Sequence, residues 1–143
     1  MTEKEIKLLR ECNLGSKMAL DTLRRVLDDT KSDDLKALIE KTIASHESLG
    51  ERLHELLSEV GEEAKEPNLM EHSSVVMSVG MKLMVENTDR KIADLLIDGT
   101  NMGIKKIKGY LNKWAGEDER VREVAEKLLR VEEEFVEALG VYL

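Results

Sequence analysis

The strongest constraint on this chain is a run of residues spaced four and three apart between Asp33 and Val60: Leu35, Ile39, Thr42, His46, Leu49, Leu53, Leu56 and Val60. Held over about seven helical turns, this spacing lays one face of a single helix against other helices. The face is apolar except at Thr42 and His46, so an imidazole enters the core at mid-helix. A buried imidazole needs a hydrogen-bond partner, and that partner has to come from another helix.

Three further long helices are predicted around it. The first spans 3–28 with a seam of Ile6, Leu9, Asn13, Ser16, Leu20, Leu23 and Leu27, again polar in its middle. Residues 29–32 form a tight turn with Ser32 as N-cap of the second helix, which makes the first two helices an antiparallel hairpin over 3–61. Gly61 stands where a helix C-terminus takes its left-handed residue. Asn87 and Thr88 precede a third helix that runs to Trp114, and Gly116 breaks it. The fourth runs from Asp118 to the chain end with the seam Val121, Ala125, Leu128, Glu132, Phe135, Leu139 and Tyr142. The second hairpin therefore covers 88–143.

Proline occurs once, at Pro67, and aromatic residues make up 3% of the chain, so long helices are favoured over sheet. At 143 residues one domain is expected. Residues 62–87 join the hairpins. Helices of about 26 residues are roughly 40 Å long, so a connection returning along them must cover a similar distance. A loop at 62–67 followed by a helical segment, capped by Asn68 and running from Leu69 to Val85, can do this. The prediction is all-α: a ferritin-like four-helix bundle of two αα-hairpins with a long crossover that contains an additional helix.

The hairpins also resemble each other. Setting Gly15 against Gly99 matches Met18 with Met102, Leu20 with Ile104, Leu23 with Ile107 and Leu27 with Leu111. After two extra residues near Glu119, Glu40 and Lys41 match Glu126 and Lys127, and Leu53 matches Leu139. We read a duplicated hairpin, although shared helical patterning contributes to the match. In this alignment His46 falls opposite Glu132, while Asn13, Ser16 and Thr100 lie at corresponding mid-helix positions.

This pattern resembles the ferritin-like superfamily, and is most similar to an uncharacterised bacterial family of rubrerythrin-like hairpin duplications. In metal-binding ferritin-like proteins, two helices each carry Glu-x-x-His facing inward and the other two each add a Glu. Here the Glu-x-x-His positions hold His46 with Leu49 and Glu132 with Phe135. The positions for the added carboxylates hold Asn13 or Ser16, and Ile97 or Thr100, so at most two of six ligands survive. One literal Glu-x-x-His, Glu51 with His54, lies on the opposite side of its helix and points to solvent.

His46 and Glu132 accordingly have two readings. The favoured one is a buried structural pair supported by Asn13, Ser16, Thr42 and Thr100, with no cofactor. The sharper one is a reduced metal site for iron or another divalent ion, as the resemblance implies, which would make the protein a metal-binding oxidoreductase or metal store.

Met70, Met77, Met81 and Met84 share a face with Val76 and Gly80. Thioethers select Cu(I). Methionine also fills irregular packing gaps, the simpler use here, and forms adaptable surfaces that recruit protein partners. Gly15 with Ala19, and Gly99 with Gly103, are small residues flanking the main seams. They permit close helix approach, either within the chain or across a homodimer. Leu8, Cys12 and Val26 extend this face on the first helix, and Ile92, Leu96, Tyr110 and Trp114 on the third.

The run Glu132, Glu133, Glu134 and Glu137 is a cation site only in one dimension, because the last three point outward on the helical wheel. Net charge of -8, distributed along helix faces, argues against nucleic acid and anionic membrane as partners. No apolar run approaches the ~20 residues of a membrane span. The single Cys12 leaves no intrachain disulfide and indicates a reducing, cytoplasmic compartment. No phosphate loop or nucleophile-and-base pairing is present, so the expected role is non-enzymatic, through self-association or protein partners.

Overall fold

A computed structural model of the chain describes residues 1–61 and 78–143. Among these residues the fold is all-α. Helix α1 covers Glu3–Leu27 and α2 covers Asp33–Glu59. Residues 78–85 are helical and form α3. Helix α4 covers Asp89–Trp114 and α5 covers Glu119–Leu139, followed by a 3-10 turn at Gly140–Tyr142. The predicted Asn68 cap and the segment from Leu69 to Met77 lie outside the described residues.

Local chemistry sets these boundaries. The Ser32 hydroxyl accepts from Leu35 N, and the Thr88 hydroxyl from Lys91 N, each satisfying an otherwise unpaired first-turn donor. Gly61 adopts φ 72°, the left-handed conformation that ends α2 without a Cβ penalty. At α1, Thr2 and Glu5 form a reciprocal capping box: Glu5 N donates to the Thr2 hydroxyl, and Thr2 N donates to the Glu5 carboxylate.

Helices α1 and α2 pack as one antiparallel pair, and α4 and α5 as another. α2 also lies against α5, and α1 against α4. Contacts between turns fix the two ends. At one end, Asp89 in the first turn of α4 accepts from the backbone N–H groups of Lys31 and Ser32 at 2.9 and 2.8 Å. At the other, Glu5 accepts from Asp118 N at 2.9 Å, and Arg120 pairs with Glu59. Within each of these four pairs the helices therefore run antiparallel, and the end of α2 and the start of α4 lie at opposite ends of the assembly.

The core is in two pieces. One cluster includes Leu8, Leu9, Cys12, Leu49, Leu53, Leu56, Ile107, Val121 and Leu128. The other includes Leu23, Val26, Leu35, Ile39, Leu83, Ile92, Leu96, Phe135 and Leu139. Between them lies a polar layer. On α1 the buried face joins the predicted seam to its flank: Leu9, Asn13, Ser16 and Leu23 of the seam are buried together with Leu8, Cys12 and Val26, whereas Ile6, Leu20 and Leu27 are half-buried. The reason is that α1 touches α2, α4 and α5, which together enclose a wider arc than one seam supplies.

Gly116 sits where the α4–α5 turn crosses Glu5. A Cβ there would lie 2.6 Å from Glu5 Cδ, and Glu5 is held by the Thr2 and Asp118 bonds. Gly116→Ala is expected to destabilise the protein by about 1–3 kcal/mol through overpacking. Gly15→Ala, where a Cβ would meet nothing within 4 Å, is expected to stabilise by about 0.5–1 kcal/mol through helix propensity. Thermal melts of the two variants should therefore shift in opposite directions. Equal shifts would remove Gly116 from any special role.

Candidate functional site: a buried histidine–glutamate layer

The seam of α2 carries His46 into the gap between the two apolar clusters, with 2% of its surface exposed. Glu132 of α5, 8% exposed, meets it: His46 Nε2 and Glu132 Oε1 are 3.4 Å apart. On the other side of the ring, Ser16 Oγ of α1 lies 2.9 Å from His46 Nδ1 and 3.5 Å from the His46 carbonyl oxygen. α4 contributes a gap. A Cβ at Gly103 would be 3.5 Å from Glu132 Oε2, so a larger side chain there would crowd the carboxylate.

Burial alone sets the electrostatics. It pushes the Glu132 carboxyl up to about 7 and the His46 imidazolium down to about 4, because each charged form loses water. Two proton arrangements satisfy the trio. In one, the Ser16 hydroxyl donates to Nδ1 and Nε2–H donates to the Glu132 carboxylate. In the other, Nδ1–H donates to the Ser16 hydroxyl and protonated Glu132 donates to Nε2. Both leave Nδ1 bonded to Ser16 and Nε2 facing the Glu132 carboxyl.

Thr42 is buried beside this layer, but its hydroxyl donates to the Leu38 carbonyl one turn back at 2.9 Å. Asn13 is buried on α1, and Thr100 is half-buried on α4. Leu49 and Phe135 close the layer above and below as apolar walls, 3% and 5% exposed. Ile97 is half-buried. Glu51 and His54 are exposed, as are Glu133, Glu134 and Glu137. Cys12 is enclosed, and burial raises its thiol to about 12, which leaves no thiolate for chemistry.

The donor set does not fit a di-metal centre. His46 and Glu132 supply one nitrogen and one carboxylate, and the flanking positions are leucine and phenylalanine. Among the described residues no three His, Cys, Asp or Glu side chains gather. Of the methionine face, Met70, Met77 and Val76 lie outside the described residues. Met81 and Met84 are exposed, at 64% and 87%, and Leu83 is the residue that seats α3 against the core.

Sequence reasoning missed two contributors. Gly103 rather than Thr100 faces Glu132 from α4; its small size is read from the sequence as permitting close helix approach, but Glu132 as the group that approaches it is not. Glu5, buried at the end of α1, was also missed, though Thr2-x-x-Glu5 is a capping-box signature.

Among the described residues the fold and layer thus define an all-helical protein with a self-paired polar layer in its core. Its sequence matches no protein-family profile and no curated protein. In three dimensions it is similar to the crystal structure of a DUF305 fragment from Deinococcus radiodurans, with a TM-score of 0.78 over 99% of this chain and 96% of that one. At 15% identity the likeness shows a shared helical fold. Among the described residues, no helix is long and apolar enough to cross a membrane.

Proposed function

We propose that this protein is a non-enzymatic, ferritin-like four-helix bundle that acts through association with its own copies or with a protein partner. One observation carries the reading: the only central polar groups that meet, His46, Glu132 and Ser16 among the described residues, are turned onto one another. Nδ1 is hydrogen-bonded to Ser16 and Nε2 faces the Glu132 carboxyl at 3.4 Å, so the layer offers little to a ligand or substrate. The antiparallel neighbours and the single long connection support the ferritin-like assignment. The exposed Met81, Met84 and Val85 on α3 support an association role, since adaptable apolar side chains on a seated helix suit protein contacts.

The competing reading, a metal-binding oxidoreductase or metal store, requires more ligands than His46 and Glu132. Elemental analysis of protein purified without chelators, repeated after anaerobic iron addition, separates the two. The expected result is no stoichiometric iron, manganese or zinc. Full-occupancy metal that disappears in His46→Leu would overturn the proposal.

A further inference from the structure

The outward stripe of α4 turns basic in its second half, against the acidic charge of the chain as a whole. From Gly99 to Trp114 it carries Lys105, Lys106, Lys108 and Lys113 and no carboxylate, while its preceding turns carry Asp94 and Asp98. Among the described residues none of these four lysines forms an ion pair. Met102 stands between the two charge types, 62% exposed. Beyond it a surface groove of about 390 Å³ is lined by Met102, Lys105, Lys106, Gly109, Tyr110 and Lys113. Its floor is firm: Tyr110 stacks on Trp114 at 4.7 Å, and Lys7 of α1 lies over the Trp114 ring.

At 100° per residue, Leu95, Asp98, Met102, Lys106, Gly109 and Lys113 fall on one face of α4. The arrangement is self-complementary when the helix is reversed. We infer that two copies of this chain pair through an antiparallel α4-to-α4 contact about a two-fold axis near Met102. Such an axis sets Asp98 of each copy against Lys105 and Lys106 of the other. It also sets Leu95 over Gly109 of the second copy, where a Cβ would meet nothing within 4 Å and an incoming side chain has room. Lys91 approaches Lys113 of the second copy, but Lys91 pairs with Asp94 at 3.5 Å, which offsets the repulsion. Acids elsewhere on the surface could meet the lysines, but α4 carries Asp98 in the register that the two-fold pairing requires. A single helix-on-helix contact is small, so association is weak and salt-sensitive.

This inference rests on the self-association reading and is tested by sedimentation at low and high salt. The wild-type protein is expected to dimerise reversibly. Asp98→Lys, and separately the combined Lys105→Asp and Lys106→Asp, are each expected to raise the dissociation constant about tenfold or more through like-charge contact. Mixing the two variants is expected to restore a dimer, because position 98 of each copy again faces opposite charge at positions 105 and 106 of the other. All three sites are exposed, so circular dichroism should show unchanged helix content. A wild-type dimer that neither variant weakens, or a mixture that stays monomeric, would overturn the α4 interface and leave self-association standing. A wild-type chain that stays monomeric at every concentration reached would overturn both.

Discussion

His46→Leu alone is expected to destabilise the protein by about 3–5 kcal/mol at pH 8, because it leaves an ionised Glu132 buried without its partner. Glu132→Met alone should cost less, about 1–3 kcal/mol, since the imidazole left behind is neutral and only one nitrogen loses a contact. The double variant should return to within about 1 kcal/mol of the wild type or exceed it, as apolar replacements of buried pairs often do. Urea unfolding of the four proteins closes this cycle. If the two single losses simply add in the double variant, His46 and Glu132 do not act as a pair and the closed-layer reading fails with it.

The same variants are expected to show opposite pH dependences. In His46→Leu the remaining carboxyl stays buried, and the burial that raises it from 4.5 to about 7 in the wild type makes the folded state hold the proton more tightly than the unfolded chain. Stability is then greatest below 4.5 and falls by about 3 kcal/mol as pH rises through 7. In Glu132→Met the remaining imidazole titrates near 4 when folded and near 6.5 when unfolded. Here the unfolded state holds the proton, so stability is greatest above 6.5 and falls by a similar amount as pH drops through 4. In the wild type the two effects cancel between 4.5 and 6.5: the unfolded chain carries imidazolium with carboxylate, the folded pair is neutral, and both hold one proton. Each single variant is read as its difference from the double variant, which lacks both groups and so removes the other titrating groups. Parallel slopes in the two variants would show that burial does not govern these groups.

The helices and their ends were legible because periodicity and caps are local. The four-and-three spacing fixed the inward face of α2, and Ser32, Gly61 and Thr88 marked ends by side-chain or backbone chemistry that acts within a turn. The approach of His46 to Glu132 was legible only through the likeness of the two hairpins, since 86 positions separate the residues in the chain numbering. Contacts between turns were not legible. Asp89 reads as an ordinary first-turn acid, and nothing near it in sequence announces that it also receives the N–H groups of Lys31 and Ser32. On α1 the flanking face of Leu8, Cys12 and Val26 was legible as a packing surface, but whether it meets helices of its own chain or a second copy was not, because the number of neighbours a helix has is a property of the assembly and leaves no local period. Gly15 and Gly99 were read as points of close approach, yet a Cβ at either would meet nothing within 4 Å.

The divided core bears on how the molecule comes apart. Each apolar cluster draws side chains from all four long helices, so neither hairpin possesses a core of its own. Sub-global opening should therefore respect height along the helices and ignore the boundary between the two halves of the sequence. Amides of α1 near Leu9 should exchange with solvent in concert with those of α5 near Leu128, on the far side of the chain. Those near Val26 should keep time with residues around Phe135.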